Sequence, residues 1–131
     1  MPPGVSKKRV LLADDNVVVR SAIRRLFSAH PDFEVSGEAE NGLDALQKAQ
    51  SLRPDLIVLD LAMPVMNGLE AAPALRKLLP TTRLILLTAH NGPEVERLSR
   101  EAGLDAVVPK NQASSKLIQQ ARALLEPSGE S

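Results

Sequence analysis

Residues 56–68 read LIVLDLAMPVMNG, an apolar run that turns polar only at Asp60 and is followed by Pro64 and Asn67-Gly68. Unbroken Leu, Ile and Val suits a strand buried on both faces, the pattern of a parallel sheet covered by helices. A strand of that kind delivers a single carboxylate to one edge of the sheet. Three further runs are similar: VLLA at 10–13, LILL at 84–87 and AVV at 106–108. FEVSGE at 33–38 alternates apolar and polar instead, as an edge strand does.

The segments between these runs carry helical spacing. Residues 17–29 place Val19, Ile23, Leu26 and Phe27 on one stripe, and 43–52 place Leu43, Leu46 and Ala49. Residues 69–79 align Leu69, Ala72, Leu75 and Leu79, and 93–102 align Val95, Leu98 and Ala102. The last segment, 112–125, carries Leu117, Ile118, Ala121 and Leu124. Asn91-Gly-Pro-Glu94 predicts a helix start with Asn91 as cap and Pro93 in the first turn. Gly103 predicts its stop. Pro73 lies deep enough in its helix to delay or kink it. Five β-then-α units predict an α/β fold, a five-stranded parallel sheet with helices on both faces.

Composition narrows the function classes. Lys plus Arg and Asp plus Glu number 16 each in 131 residues, so no net charge marks a nucleic-acid or anionic-membrane surface. Without cysteine there are no disulfides or thiolate metal sites. No apolar stretch reaches the length of a signal peptide or membrane span, so a soluble cytoplasmic domain over 8–126 is expected. Residues 1–7 and 127–131 are expected to be disordered, the latter as a tail or the start of a linker.

Open parallel sheets place their sites outside the carboxyl ends of the strands. The first predicted strand ends at Asp14-Asp15, the third at Asp60, the fourth at Thr88 and the fifth at Lys110. Three carboxylates crowd together only with a cation among them, and an all-oxygen donor set favours a hard ion, Mg²⁺. A lysine and a hydroxyl beside that ion suit the oxygens of a phosphoryl group, with Asp60 as nucleophile for an acyl phosphate. Taken singly the residues read differently: Asp14 and Asp15 as a helix cap, Lys110 as a surface lysine, Asp60 as a turn former. Their joint order along four strand ends favours the phosphoryl site.

The stretches LLADDN at 11–16, VLDLAMPVMNG at 58–68, LLTAH at 86–90 and VVPKN at 107–111 resemble the response-regulator receiver domains of two-component signalling. ADDNVVVRSAIRRLF, VSGEAENGLDALQKA and LRPDLIVLDLAMP further resemble the subfamily that usually carries a C-terminal helix-turn-helix. The resemblance implies a flavodoxin-like receiver fold with Asp60 as phosphoacceptor. It implies that Asp15 holds Mg²⁺ directly, Asp14 through water and Ala62 through its backbone carbonyl. It implies Thr88 as the hydroxyl that moves to the phosphoryl group and Lys110 as its ion-pair partner. The donor would be a histidine kinase or a phosphotransfer protein, and the output transcription through a missing or separate DNA-binding domain.

This sequence departs from the family pattern at Val107, where a Tyr or Phe often stands three residues before the lysine. Ala62 and His90 take the two positions that flank the route of attacking water. Two other readings compete. One is a stand-alone or pseudo-receiver acting by protein contact. The other is a Mg²⁺-dependent phosphohydrolase, weakened because Ala62 stands where a second carboxylate would act. Leu117, Ile118, Leu124 and Leu125 exceed one core stripe, which predicts phosphorylation-linked homodimerisation through the last helix.

Overall fold

The computed structural model describes residues 7–126. Of the ends expected to be disordered, 1–7 and 127–131, all but residue 7 lie outside the described residues. Five strands form one parallel sheet: β1 (Lys8–Ala13), β2 (Phe33–Ala39), β3 (Leu56–Asp60), β4 (Arg83–Thr88) and β5 (Ala106–Pro109). Their order is β2-β1-β3-β4-β5, so the alternating β2 is indeed an edge strand. The chain winds outward in both directions from β1 and β3, which opens a crevice at their carboxyl ends.

Helices cover both faces: α1 (Val17–Ser28), α2 (Gly42–Leu52), α3 (Gly68–Leu78), α4 (Pro93–Ala102) and α5 (Ala113–Leu125). Alternate strand residues feed two cores. Leu11, Ile57, Leu59, Leu84 and Leu86 pack with α2 and α3, while Val10, Leu12, Val58, Ile85 and Leu87 pack with α1 and α5. Every residue of β3 is buried, which explains its continuous apolar run.

Local chemistry sets the helix ends. The Asn16 side chain accepts from the N–H groups of Val18 and Val19, so Asn16, not the acidic pair before it, caps α1. Asn67 and Glu70 form a reciprocal capping box at the start of α3. Gly103 ends α4 with φ 95°. Pro73 neither delays nor interrupts α3, which runs from Gly68 through it.

Three expectations change. The cap of α4 is Gly92, and the Asn91 side chain accepts from the Gly92 N–H instead. On α4 the inward stripe is Val95, Ser99 and Ala102, with Ser99 buried and Leu98 36% exposed. The Ser99 carbonyl accepts from the Leu104 N–H at 2.9 Å where the chain turns back toward β5, and its hydroxyl is buried without a hydrogen-bond partner among the described residues. On α2, Ala45 and Ala49 are fully buried, Leu46 and Leu52 pack partly buried against the same core, and Leu43 is 44% exposed.

Leu117 of α5 is fully buried, and Ile118, Leu124 and Leu125 lie half-buried against the core shared with α1. They leave less free apolar surface for a dimer than their number suggests. No helix among the described residues is long and apolar enough to cross a membrane.

Candidate functional site

Asp14, Asp60 and Thr88 are all buried at the carboxyl edge of the sheet, while Asp15 beside them is exposed. Carboxylate oxygens of Asp14, Asp15 and Asp60 lie within 4.8 Å of one another. Lys110, directly after β5, reaches over β4 to place Nζ 3.0 Å from Asp60 Oδ1 and 3.5 Å from Asp14 Oδ2. Asp14 Oδ2 is nonetheless left without a hydrogen bond, because the lysine reaches it only at ion-pair range. A buried carboxylate oxygen with no donor, next to two other carboxylates, is the environment a hard divalent cation satisfies.

The electrostatics follow from burial. Desolvation holds the Asp60 carboxyl above the ordinary carboxylate range; the hydrogen bond from Lys110 opposes this, and the Asp14 charge adds to it. For Lys110 burial works against the charged form, but the bond to Asp60 and the charge of Asp14 prevail and raise it. The site stores unfavourable negative charge that one ammonium only partly offsets.

Thr88 sits at the right strand end, but its hydroxyl is turned to its own loop. Oγ1 donates to the His90 carbonyl at 2.8 Å and accepts from the His90 N–H at 3.2 Å. A cavity of about 220 Å³ beside Asp60 is lined by Ala62, Thr88, His90, Lys110 and, from α4, Val95. Val107 is half-buried and packs with Val95 against the core under α4.

The loop after Asp60 is held at several points. Gly68 N–H donates to the Leu61 carbonyl at 3.1 Å, and Gly42 N–H to the Met66 carbonyl at 2.8 Å. A Cβ on Gly68 would stand 2.6 Å from the Asp60 carbonyl oxygen, which explains glycine there. Met66 N–H donates to the Pro64 carbonyl at 2.6 Å, closing a short turn in which Val65 takes φ 68°. The close approach of Gly42, the lining by Val95 and the contact of Arg20 with Asp14 were not visible in the sequence. Only Asn16, as a cap residue before an apolar run, carried a readable signal.

Residues 10–122 match the response regulator receiver domain family. The chain is 34% identical over 114 residues to the response regulator protein VraR of Staphylococcus saprophyticus, covering 87% of this chain and 54% of VraR. It is 38% identical over 109 residues to the nitrate/nitrite response regulator protein NarL of Escherichia coli K12, covering 83% of this chain and 50% of NarL. The chain thus spans about half the length of these curated relatives. Among solved structures, a LuxR-family two-component response regulator from Aurantimonas sp. SI85-9A1 superposes with a TM-score of 0.87 at 32% identity, covering 92% of this chain and 86% of that one.

Proposed function

The chain belongs to the response regulator receiver domain family, and on that premise we propose that it accepts a phosphoryl group on Asp60 and relays it as a change of shape. The observation that carries this is the 3.0 Å pair of Lys110 with Asp60, set among three carboxylates. An Asp60 carboxylate oxygen attacks the phosphorus of a histidine kinase's or phosphotransfer protein's phosphohistidine. The P–O bond forms as the P–N bond breaks, and the freed imidazole departs. Water later attacks the aspartyl phosphate, releasing inorganic phosphate and restoring the carboxylate.

Asp14, Asp15, Asp60 and the Ala62 carbonyl would hold Mg²⁺, which when bound neutralises charge on the transferred group. Lys110 exchanges part of its contact with Asp60 for a phosphoryl oxygen. The Thr88 hydroxyl leaves the His90 carbonyl for another phosphoryl oxygen, and the 88–91 loop follows it. Ala62 leaves room for the attacking water, and His90 lines the same cavity. The likeness to LuxR-family regulators supports transcription as the output, through a DNA-binding domain outside this one. We extend the reading to self-association through α5 on phosphorylation, for which equal sedimenting mass with and without the phosphoryl group counts as refutation.

The decisive test is intact mass after incubation with Mg²⁺ and a small-molecule phosphodonor. Wild type gains one phosphoryl group, EDTA prevents the gain, and Asp60→Asn shows none. Absence of any gain in wild type overturns the proposal in favour of a receiver that acts by contact alone.

A further inference from the structure

Arg20 lies on the first turn of α1 with its side chain only 14% exposed. Its Nη1 donates to the backbone carbonyl of Asp14 at 2.6 Å, and its Nε donates to Glu38 Oε1 at 2.7 Å. Glu38, near the end of β2, also pairs with Arg24, and its carbonyl accepts from Lys48 Nζ. Glu38 is therefore an anchor held from α1 and α2, and it locks the guanidinium in one orientation.

The carbonyl that Arg20 holds belongs to the peptide joining Asp14 to Asp15. That unit is planar, so fixing its oxygen also fixes the N–H of Asp15. Asp14 is tied at its other bonds too: its N–H donates to the Ala39 carbonyl at 3.0 Å, and Oδ1 accepts from Asn16 N–H at 2.9 Å. The Asp15 carboxylate, in contrast, is exposed and accepts no side-chain or backbone hydrogen bond among the described residues. Its direction is set by the peptide plane before it and by its own torsions.

We propose that Arg20 is a positioning residue for the metal-binding carboxylates: through the Asp14 carbonyl it turns Asp15 toward Asp14 and Asp60, and Glu38 holds it in register. This rests on the reading of the acidic trio as a Mg²⁺ site. Arg20 would touch neither the ion nor the phosphoryl group. Outer partners that orient ligands typically change metal affinity by about 10–100-fold when lost. A staple joining α1 to β2, by comparison, would change stability and leave affinity alone.

The test is a Mg²⁺ titration without phosphodonor, followed by the amide NMR shifts of Asp15 and Asn16 at a temperature where each variant is folded. Arg20→Met retains the aliphatic packing and loses both bonds; its Mg²⁺ affinity is expected to fall about tenfold or more. Arg20→Lys and Glu38→Ala, milder changes, should fall between it and wild type. Wild-type affinity in folded Arg20→Met refutes the positioning role while leaving the metal site intact. If Arg20→Met does not fold, unchanged affinity in both milder variants refutes it equally, and weakened affinity in both supports it. Failure of wild type to bind Mg²⁺ overturns the metal-site reading, and this inference with it.

Discussion

Lys110 and Asp60 leave the sheet on strands that are not neighbours, β5 and β3, yet Nζ and Oδ1 stand 3.0 Å apart over the end of β4. The pair spans the place where phosphoryl transfer is proposed and joins the fixed centre of the sheet to its β5 edge. Any change in the charge on Asp60 therefore reaches β5 and the start of α5 through one side chain.

The raised Asp60 carboxyl makes stability depend on pH with a definite sign. A folded pKa above the ordinary value of 3.8 means that the native state binds more protons between the two values. Stability then falls as pH rises through that window. Urea midpoints in EDTA should decline on the alkaline side of 3.8, and Asp60→Asn should flatten the decline. The variant should be the more stable of the two at neutral pH in EDTA.

Lys110→Ala removes the counter-charge from two buried carboxylates. Because the lysine is partly exposed, the expected cost is about 1–3 kcal/mol at neutral pH rather than that of a fully buried pair. Urea unfolding with and without Mg²⁺ checks it: millimolar Mg²⁺ should recover part of the loss. The raised Lys110 pKa implies that its contribution is full below 10.5 and disappears as pH passes above the folded value.

Thr88→Ala should leave the acceptor competent while uncoupling it from the loop. Hydrogen exchange across 88–111 should change on phosphorylation in wild type and in Thr88→Ser, and much less in Thr88→Ala. An equal response in Thr88→Ala would remove the hydroxyl from the switch.

Gly68→Ala forces a Cβ to within 2.6 Å of the Asp60 carbonyl oxygen and 2.8 Å of Leu86 Cδ1. Overpacking of this kind costs about 1–3 kcal/mol. Since the backbone that must yield is that of the proposed acceptor, the rate of phosphorylation should fall as well. Thermal unfolding and the mass assay read the two effects separately.

Val65 is 77% exposed and held at positive φ, a backbone region unfavourable to a β-branched residue. Val65→Gly should relieve that strain and, after the added unfolded-state entropy, stabilise the fold by about 0.5–1 kcal/mol. A chemical-denaturation midpoint at or below that of wild type would show that the turn is unstrained.

The sheet was legible because burial on both faces leaves continuous apolar runs in β1, β3 and β4, and β2 because an edge strand can alternate. β5, whose apolar run suggested burial on both faces, is instead the other edge, with only Val108 buried. The site was legible because Asp14, Asp15, Asp60, Thr88 and Lys110 each stand at a strand end, and strand ends converge in a parallel sheet whatever the details of packing. Leu98 was misassigned and Ser99 passed over because the stripe was chosen by hydropathy, whereas the packed helix buries Ser99 and leaves Leu98 36% exposed. Leu43 failed likewise: the face of α2 turned inward is the one that carries Ala45 and Ala49, which hydropathy ranks below leucine.

Periodicity, capping and the order of the strand ends are local properties of the chain, so the sequence by itself determined the βα alternation, the acidic edge and the family. Tertiary structure alone decided that Lys110 bridges to Asp60, that the Thr88 hydroxyl rests on His90, and that Arg20 holds the Asp14–Asp15 peptide against Glu38. Those contacts depend on ångström distances and on torsional choices within and between elements, which side-chain pattern does not encode.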